Sequence, residues 1–499
     1  GNTLDGAYSL AVNTAGVTRL NGAVGAGSAL SSLTTDAAGT VVMNAGTVTT
    51  SGAQTYNDAV NLSRHTTFTS SGASVHFVSL SDGASSFNLN INTATALALA
   101  DVEVDGNLHV TTQATGVTQQ AGTHVWVGGS STFTADTGTH QDAALSSTSN
   151  RFGGTLTLNQ DHNGSWRDVS VTTTAPLTLA ALQSAGSVSL ATQGATLTTN
   201  SIAASGNLTL ATTGGAASLG AMTVSGNLNV NTKTGQLDAQ GHDVGGGTVT
   251  QTGQFAVTGN TAVSAGTGAI TLLNPLNNFG GTLALQGTST SVATTGNLQL
   301  ASVTNSGPMV LHAPSGSIDL GSAFITGGDL TLQSRDNMNL GGANITGALN
   351  MSSTQGTVSF GQATVTGDLT ASTHGRQVDL GTANVGGNLT VQTNGGNVVQ
   401  QLPTNTTPNA ALHVTGTTTI TAGTGDVTLP NVPNQFGGVI SLQANDVQLV
   451  GSSNLNLGTS TITGNMDVTS VTGNVTQTAP LSVTGTSAFT ATHGNVNLD

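Results

Sequence analysis

Apolar residues recur along most of this 499-residue chain in short alternating stretches. In residues 341–360, GGANITGALNMSSTQGTVSF, three such stretches follow one another: Ala343 and Ile345, Leu349 and Met351, Val358 and Phe360. A period of two means strand, with the paired residues on one face. Glycine, asparagine, serine and aspartate fill the gaps, where tight turns and left-handed backbone are needed. The unit then repeats. Residues 321–340, 361–380 and 381–400 align with it at a period of 20 on the template G-x-A-x-[IV]-x-G-x-L-x-[LMV], followed by a [VM]-x-L pair. Leu330 and Leu332 sit one residue out of step and take the slots that Leu349 and Met351 fill in the next segment.

The period extends outward. Met309 and Leu311 lie two periods before Leu349 and Met351. Val188/Leu190, Leu208/Leu210 and Leu228/Val230 form a second run, and Leu108/Val110 lie four periods before its start. Three strands per 20-residue coil predict an all-β protein, a right-handed parallel β-helix (solenoid) whose coils pair with those above and below. Equivalent residues should stack in columns: a narrow one of Ala343, Ala363 and Ala383, and a β-branched one of Ile345, Val365 and Val385. Outer asparagine and threonine columns should hydrogen-bond from coil to coil, as amide ladders do. At one strand spacing per coil, roughly 25 coils make a rod about 120 Å long. Length then measures a stack rather than counting domains.

A longer repeat overlies the short one. Asn150-Arg-Phe-Gly-Gly154 recurs as Asn277-Asn-Phe-Gly-Gly281 and Asn434-Gln-Phe-Gly-Gly438. Val117-Thr-Gln119, Val249-Thr-Gln251 and Val398-Val-Gln400 precede these blocks, and a fourth, Val475-Thr-Gln477, stands near the end. The chain is therefore expected to be a piece of a longer repetitive protein. Residues 1–100 read as irregular coils and 101–499 as a repetitive stalk, with modules at about 150–276, 277–433 and a partial 434–499.

Composition narrows the function. Only 6% of residues are charged, against about 25% in ordinary globular proteins. Seven lysines and arginines cannot neutralise a phosphate track, so no nucleic acid is expected as partner. Without cysteine there is neither a disulfide framework nor a thiolate metal site. The histidines show no metal-binding pair at helical spacing, and the repeated G-G-x-G-x-D of calcium-loaded β-rolls is absent, so no metal or cofactor is expected. No apolar run approaches the length that a membrane span needs, so none is expected.

The Gly-Asn-Leu coils (Gly106 to Leu108, Gly206 to Leu208, Gly226 to Leu228, Gly387 to Leu389), with the Asn-x-Phe-Gly-Gly and Val-Thr-Gln blocks, resemble the passenger region of filamentous-haemagglutinin-like adhesins, the secreted partners of two-partner (type Vb) secretion. The resemblance covers most of 101–499 and, more loosely, 1–100. It implies a Gram-negative bacterium, an outer-membrane transporter as partner during export, and a place on the cell surface or in the biofilm matrix. The expected partners are then an extracellular glycan or polysaccharide, a host or neighbouring-cell surface, or further copies of the chain.

Little catalytic chemistry stands out. Asp319, Asp329, Asp368 and Asp379 occupy different template positions, and Asp319 and Asp379, which share one, lie three coils apart. A carbohydrate-active β-helix enzyme needs carboxylates on adjacent coils, so enzyme activity is not expected. One polar cluster departs from the repeat: Gln160-Asp-His-Asn-Gly-Ser-Trp-Arg-Asp168, beside an insertion of about six residues. It reads either as a glycan-binding ledge or as a solvated loop whose tryptophan covers a coil edge. In the first reading Trp166 offers a stacking face, and Asp161, His162, Arg167 and Asp168 bond sugar hydroxyls.

Overall fold

The computed structural model describes residues 2–498 other than 114, 138–139, 240, 242, 322–323 and 401–410, and for 324 and 325 only the backbone. Among these residues there is no helix. Short strands stack as a parallel β-solenoid of about 24 turns with roughly 20-residue spacing. The chain divides into two compact units, Gly1–Gly259 with Ser264–Gly268, and Asn260–Val263 with Ala269–Asp499.

The second unit holds the most regular turns. Its columns follow the 20-residue template: Ile345 pairs in register with Val365, and Val365 with Val385. Ala343, Ala363 and Ala383 are buried beside them. Leu330 and Leu332 lie opposite Leu349 and Met351, so the one-residue offset is absorbed between strands. All three apolar pairs of 341–360 are buried, at 1% exposure or less. The small-residue slot of the first coil, Ala323, lies outside the described residues. Glycine opens each template because the backbone there is left-handed, with φ of 56° at Gly341, 54° at Gly361 and 50° at Gly381.

In the first unit, Val188, Leu208 and Leu228 form one column at the period of 20. Residues 1–100 pair in the same parallel manner, with turns of uneven length: Ser9 lies opposite Ser32, and Thr40 opposite Ala59. Tyr56, Phe68 and Phe77 pack ring to ring inside these early turns, at centroid distances of 5.0–5.5 Å. Burial pushes the Tyr56 phenol well above the usual tyrosine range, and its hydroxyl donates to Gln54 Oε1.

One extrapolation of the period fails here. Val188 stacks on Val169, Ala143 and Val117, and not on Leu108. Leu108 belongs to a different face and stacks on Ser131 and Leu156. The turns from Val117 to Ala143 and from Ala143 to Val169 are both longer than the period, so an exact count of four periods lands on the wrong strand.

In the first unit two antiparallel bridges depart from the parallel stack, joining Lys233 to Gly246 and Leu237 to Asp243. Lys233 and Asp243 also form an ion pair. No helix among the described residues is long and apolar enough to cross a membrane.

Candidate functional site

The recurring motifs turn out to hold the turns together. The glutamine of the Val-x-Gln block and the asparagine of the Asn-x-Phe-Gly-Gly block that follows it meet inside the solenoid at Gln119 with Asn150 and at Gln400 with Asn434. Asn150 Nδ2 donates to Gln119 Oε1 at 2.9 Å, and Gln119 Nε2 returns a bond to Asn150 Oδ1 at 2.8 Å. Gln400 and Asn434 repeat this at 2.8 and 2.7 Å. Both asparagines are fully buried. Each also accepts from a backbone N–H, that of Val125 or Leu412. Such reciprocal amide pairs satisfy polar groups that burial would otherwise penalise. The phenylalanines of the blocks are core residues.

The Gly-Asn-Leu asparagines also serve the stack. Asn107 Oδ1 accepts from the backbone N–H of Ser130 on the next turn, Asn207 Oδ1 from that of Asn227, and Asn388 Oδ1 from that of Thr417. In these positions the ladder runs from side chain to backbone, whereas in the early turns Asn44 Nδ2 donates to Asn21 Oδ1 and Asn90 Nδ2 to Thr67 Oγ1 on the preceding turn. Asp329 and Asp368 do the same for Ala348 and Asn388. Asp319 and Asp379 cap the turns at Gly321 and Gly381. Each of these four carboxylates thus has a structural contact.

The cluster at 160–168 does not present its tryptophan as the ledge reading requires. Trp166 is fully buried and its indole N–H donates to the Asn159 carbonyl at 2.9 Å, so it offers no stacking face. A register shift opposite Gln141 and Ala143 lets the strand Trp166–Thr173 turn its indole inward while Arg167 and Asp168 face solvent. Arg167 meets Asp142 through Nε at 3.0 Å and Nη2 at 2.5 Å. That bond and the Asp142 charge raise the guanidinium pKa further. Asp168 Oδ1 accepts from the Ser187 backbone.

His162 lies 2.5 Å from Asp136 through Nδ1, with Asp161 3.5 Å away. One ligand atom from each of these three residues lies within 4.8 Å of the others. Gln113 occupies the second Asp136 oxygen. The bond to Asp136 raises the His162 pKa, helped by the Asp161 and Asp136 charges, and the same bond lowers that of Asp136. The histidine contribution is fully present below the ordinary value of 6.5 and is lost as pH rises through the raised value. The carboxylate contribution is present above 3.8 and is lost as pH falls through the lowered value. The contact should therefore be strongest between those two ordinary values. An NMR titration of His162 is expected to place its midpoint above 6.5, and Asp136→Asn should return it towards that value. An unshifted midpoint in the wild type would contradict the contact.

A different face gathers the chemistry. On the strands Asp101–Val104, Val125–Val127 and Arg151–Phe152, the residues Val102, Val104, Val125, Val127 and Phe152 point inward. Alternation sends Glu103, Trp126 and Arg151 outward, and the register sets them side by side on successive turns. Glu103 is the only glutamate of the chain. Trp126 is 45% exposed, and its indole N–H donates to the Ser149 carbonyl at 2.7 Å. His124 packs against it with ring centroids 4.4 Å apart, and lies 3.0 Å from Asp101 and 2.8 Å from Glu103. Both contacts are hydrogen bonds at once only when both ring nitrogens carry protons. A cleft of about 310 Å³ opens along this column, lined by Glu103, Asp105, Trp126, Gly128, Arg151 and Gly153 among others.

The repeat template misses this column because its turns are long. From Glu103 to Trp126, and again from Trp126 to Arg151, the chain runs past one period before it returns to the same face. A strict period of 20 carries Glu103 to Thr123 and never meets the indole.

Five stretches of the chain match the family described as Repeats of unknown function (DUF5649): residues 86–159, 205–286, 327–384, 367–443 and 444–499. The chain belongs to this family. No curated protein matches it significantly. No solved structure does either. The matched repeats keep the framework and vary the outer face. Where the first presents Glu103, Trp126 and Arg151, the equivalent column beside Asn434 reads Asn384, His413 and Gln435.

Proposed function

We propose that the chain is a stalk segment of a secreted bacterial surface or biofilm-matrix adhesin of the filamentous-haemagglutinin-like kind, attaching cells to polysaccharide, to a surface or to one another. In this reading it leaves the cell through an outer-membrane transporter and folds outside. The observation that carries the reading is the division of labour among its residues. Repeated motifs are spent on inward packing and turn-to-turn bonding, while one unrepeated outer column carries an indole, carboxylates and a guanidinium, the groups that hold sugars. The absence of cysteine is consistent with export through a narrow pore.

Beads coated with the chain should stay on a film of biofilm-matrix polysaccharide under flow that removes beads coated with an unrelated acidic protein. Equal detachment of both would overturn the attachment reading. A carbohydrate-active enzyme is the second reading, favoured by Asp101 and Glu103 lying on one strand face, with Asp105 just past the strand's end. It requires reducing ends to be released from the same film.

A further inference from the structure

The geometry points to a pyranose-binding site on the first unit, in the trough beside Trp126, made for a neutral sugar of a polysaccharide chain. Gly128 and Gly153 follow Trp126 and Arg151 by two residues, so they share the outward face and leave the trough without side chains. The opening is fixed by the fold. A Cβ on Gly128 would lie 2.7 Å from the Asp105 carbonyl oxygen, and one on Gly153 would lie 2.5 Å from that of Gly128. The floor is therefore bare backbone, with the exposed indole along its side.

The ends of the trough carry opposite charges. Asp105 stands on the turn before Gly128, on the same outward face, and Arg151 stands beside Gly153. Neither the Asp105 carboxylate nor the Arg151 guanidinium has a partner among the described residues, whereas Glu103 is engaged by His124 and Asp82 by the backbone N–H groups of Phe87 and Asp105. The carboxylate can accept from two adjacent ring hydroxyls, and the guanidinium can donate to hydroxyl or ring oxygens at the other end. The apolar C–H face of the sugar covers the indole. His124 backs the indole on one side and Ser149 fixes its N–H, so the ring is held ready before any ligand arrives. One acid and one base at the two ends favour a neutral ring. A uronate would meet Asp105 and Glu103, and an amino sugar would meet Arg151.

The site rests on the attachment reading only for the source of the sugar. The test uses the whole chain and its tryptophan fluorescence. Trp166 is buried and Trp126 exposed, so a change in emission on adding sugar reports on Trp126. Neutral oligosaccharides of glucose, galactose and mannose are titrated against oligogalacturonate and chitosan oligomers. At least one neutral series should shift the emission, and Asp105→Asn and Arg151→Gln should each weaken it by about tenfold or more. Calorimetry should show Trp126→Ala losing the same ligand while its thermal melt stays unchanged. Binding confined to the charged oligomers, binding unaffected by these substitutions, or no binding by the wild type overturns the site. Film retention that survives Trp126→Ala would overturn the site and leave the attachment reading standing. Oligosaccharide binding that depends on Trp126 without film retention would do the reverse.

Discussion

Replacing Asn434 with alanine is expected to destabilise the second unit by about 2–5 kcal/mol, more than any outward substitution in the chain. The side chain is fully buried and makes four bonds. It donates to Gln400 Oε1 at 2.7 Å and to the Val450 carbonyl at 3.2 Å, and accepts from Gln400 Nε2 and the Leu412 N–H, both at 2.8 Å. Truncation takes the Asn434 bonds from the Gln400 side chain and from the buried Leu412 N–H, at a cost of about 1–3 kcal/mol for each group affected. Urea unfolding followed by circular dichroism should show the midpoint fall. Replacing both residues with leucine should cost less than the sum of the two single replacements, because each single replacement already loses the Gln400–Asn434 pairing. Additive costs would mean that the pair is not a unit.

Gly438→Val is expected to cost a similar amount for a steric reason. A Cβ at this position would lie 2.5 Å from the Gly416 carbonyl oxygen and 2.7 Å from its carbon, both backbone atoms of the neighbouring turn. Gly438 also donates its N–H to that carbonyl at 3.0 Å, so the two turns cannot separate without losing the bond. Overpacking of this kind typically costs about 1–3 kcal/mol, and the lost bond adds about 1 kcal/mol. Gly375→Val is the control. Its Cβ would meet nothing within 4 Å, but its φ of 72° disfavours any side chain, so it should show the smaller cost of backbone strain alone. Equal effects at both sites would remove close approach as the reason for the glycine pair.

Much of the framework is legible in the sequence because it obeys two periods at once. Alternation within a stretch places Ile345, Met351 and Phe360 inward, and the repeat of 20 places Val365 above Ile345. The period fails where turns lengthen, since a solenoid tolerates extra residues at its corners provided the strands re-enter in register. A strict count puts Leu108 in the wrong column for that reason, and never aligns Glu103, Trp126 and Arg151. The blocks that recur at long range are visible, but their meaning is not. That Gln119 and Asn150 form one buried pair depends on a contact between residues 31 apart on different turns. Trp166 misleads because sequence shows a tryptophan among charges and not which way its strand faces. A register shift, invisible in the residues themselves, turns it inward.

Bead retention on a polysaccharide film, measured beside urea unfolding for the wild type, Trp126→Ala and Asn434→Ala, tests most directly the claim that repeated motifs are framework and the unrepeated column does the attaching. Trp126→Ala should lose retention and keep its unfolding midpoint. Asn434→Ala should lose stability and, at a temperature where it is still folded, keep its retention. Retention that follows stability across the three proteins, or that is unchanged in Trp126→Ala, would contradict the account.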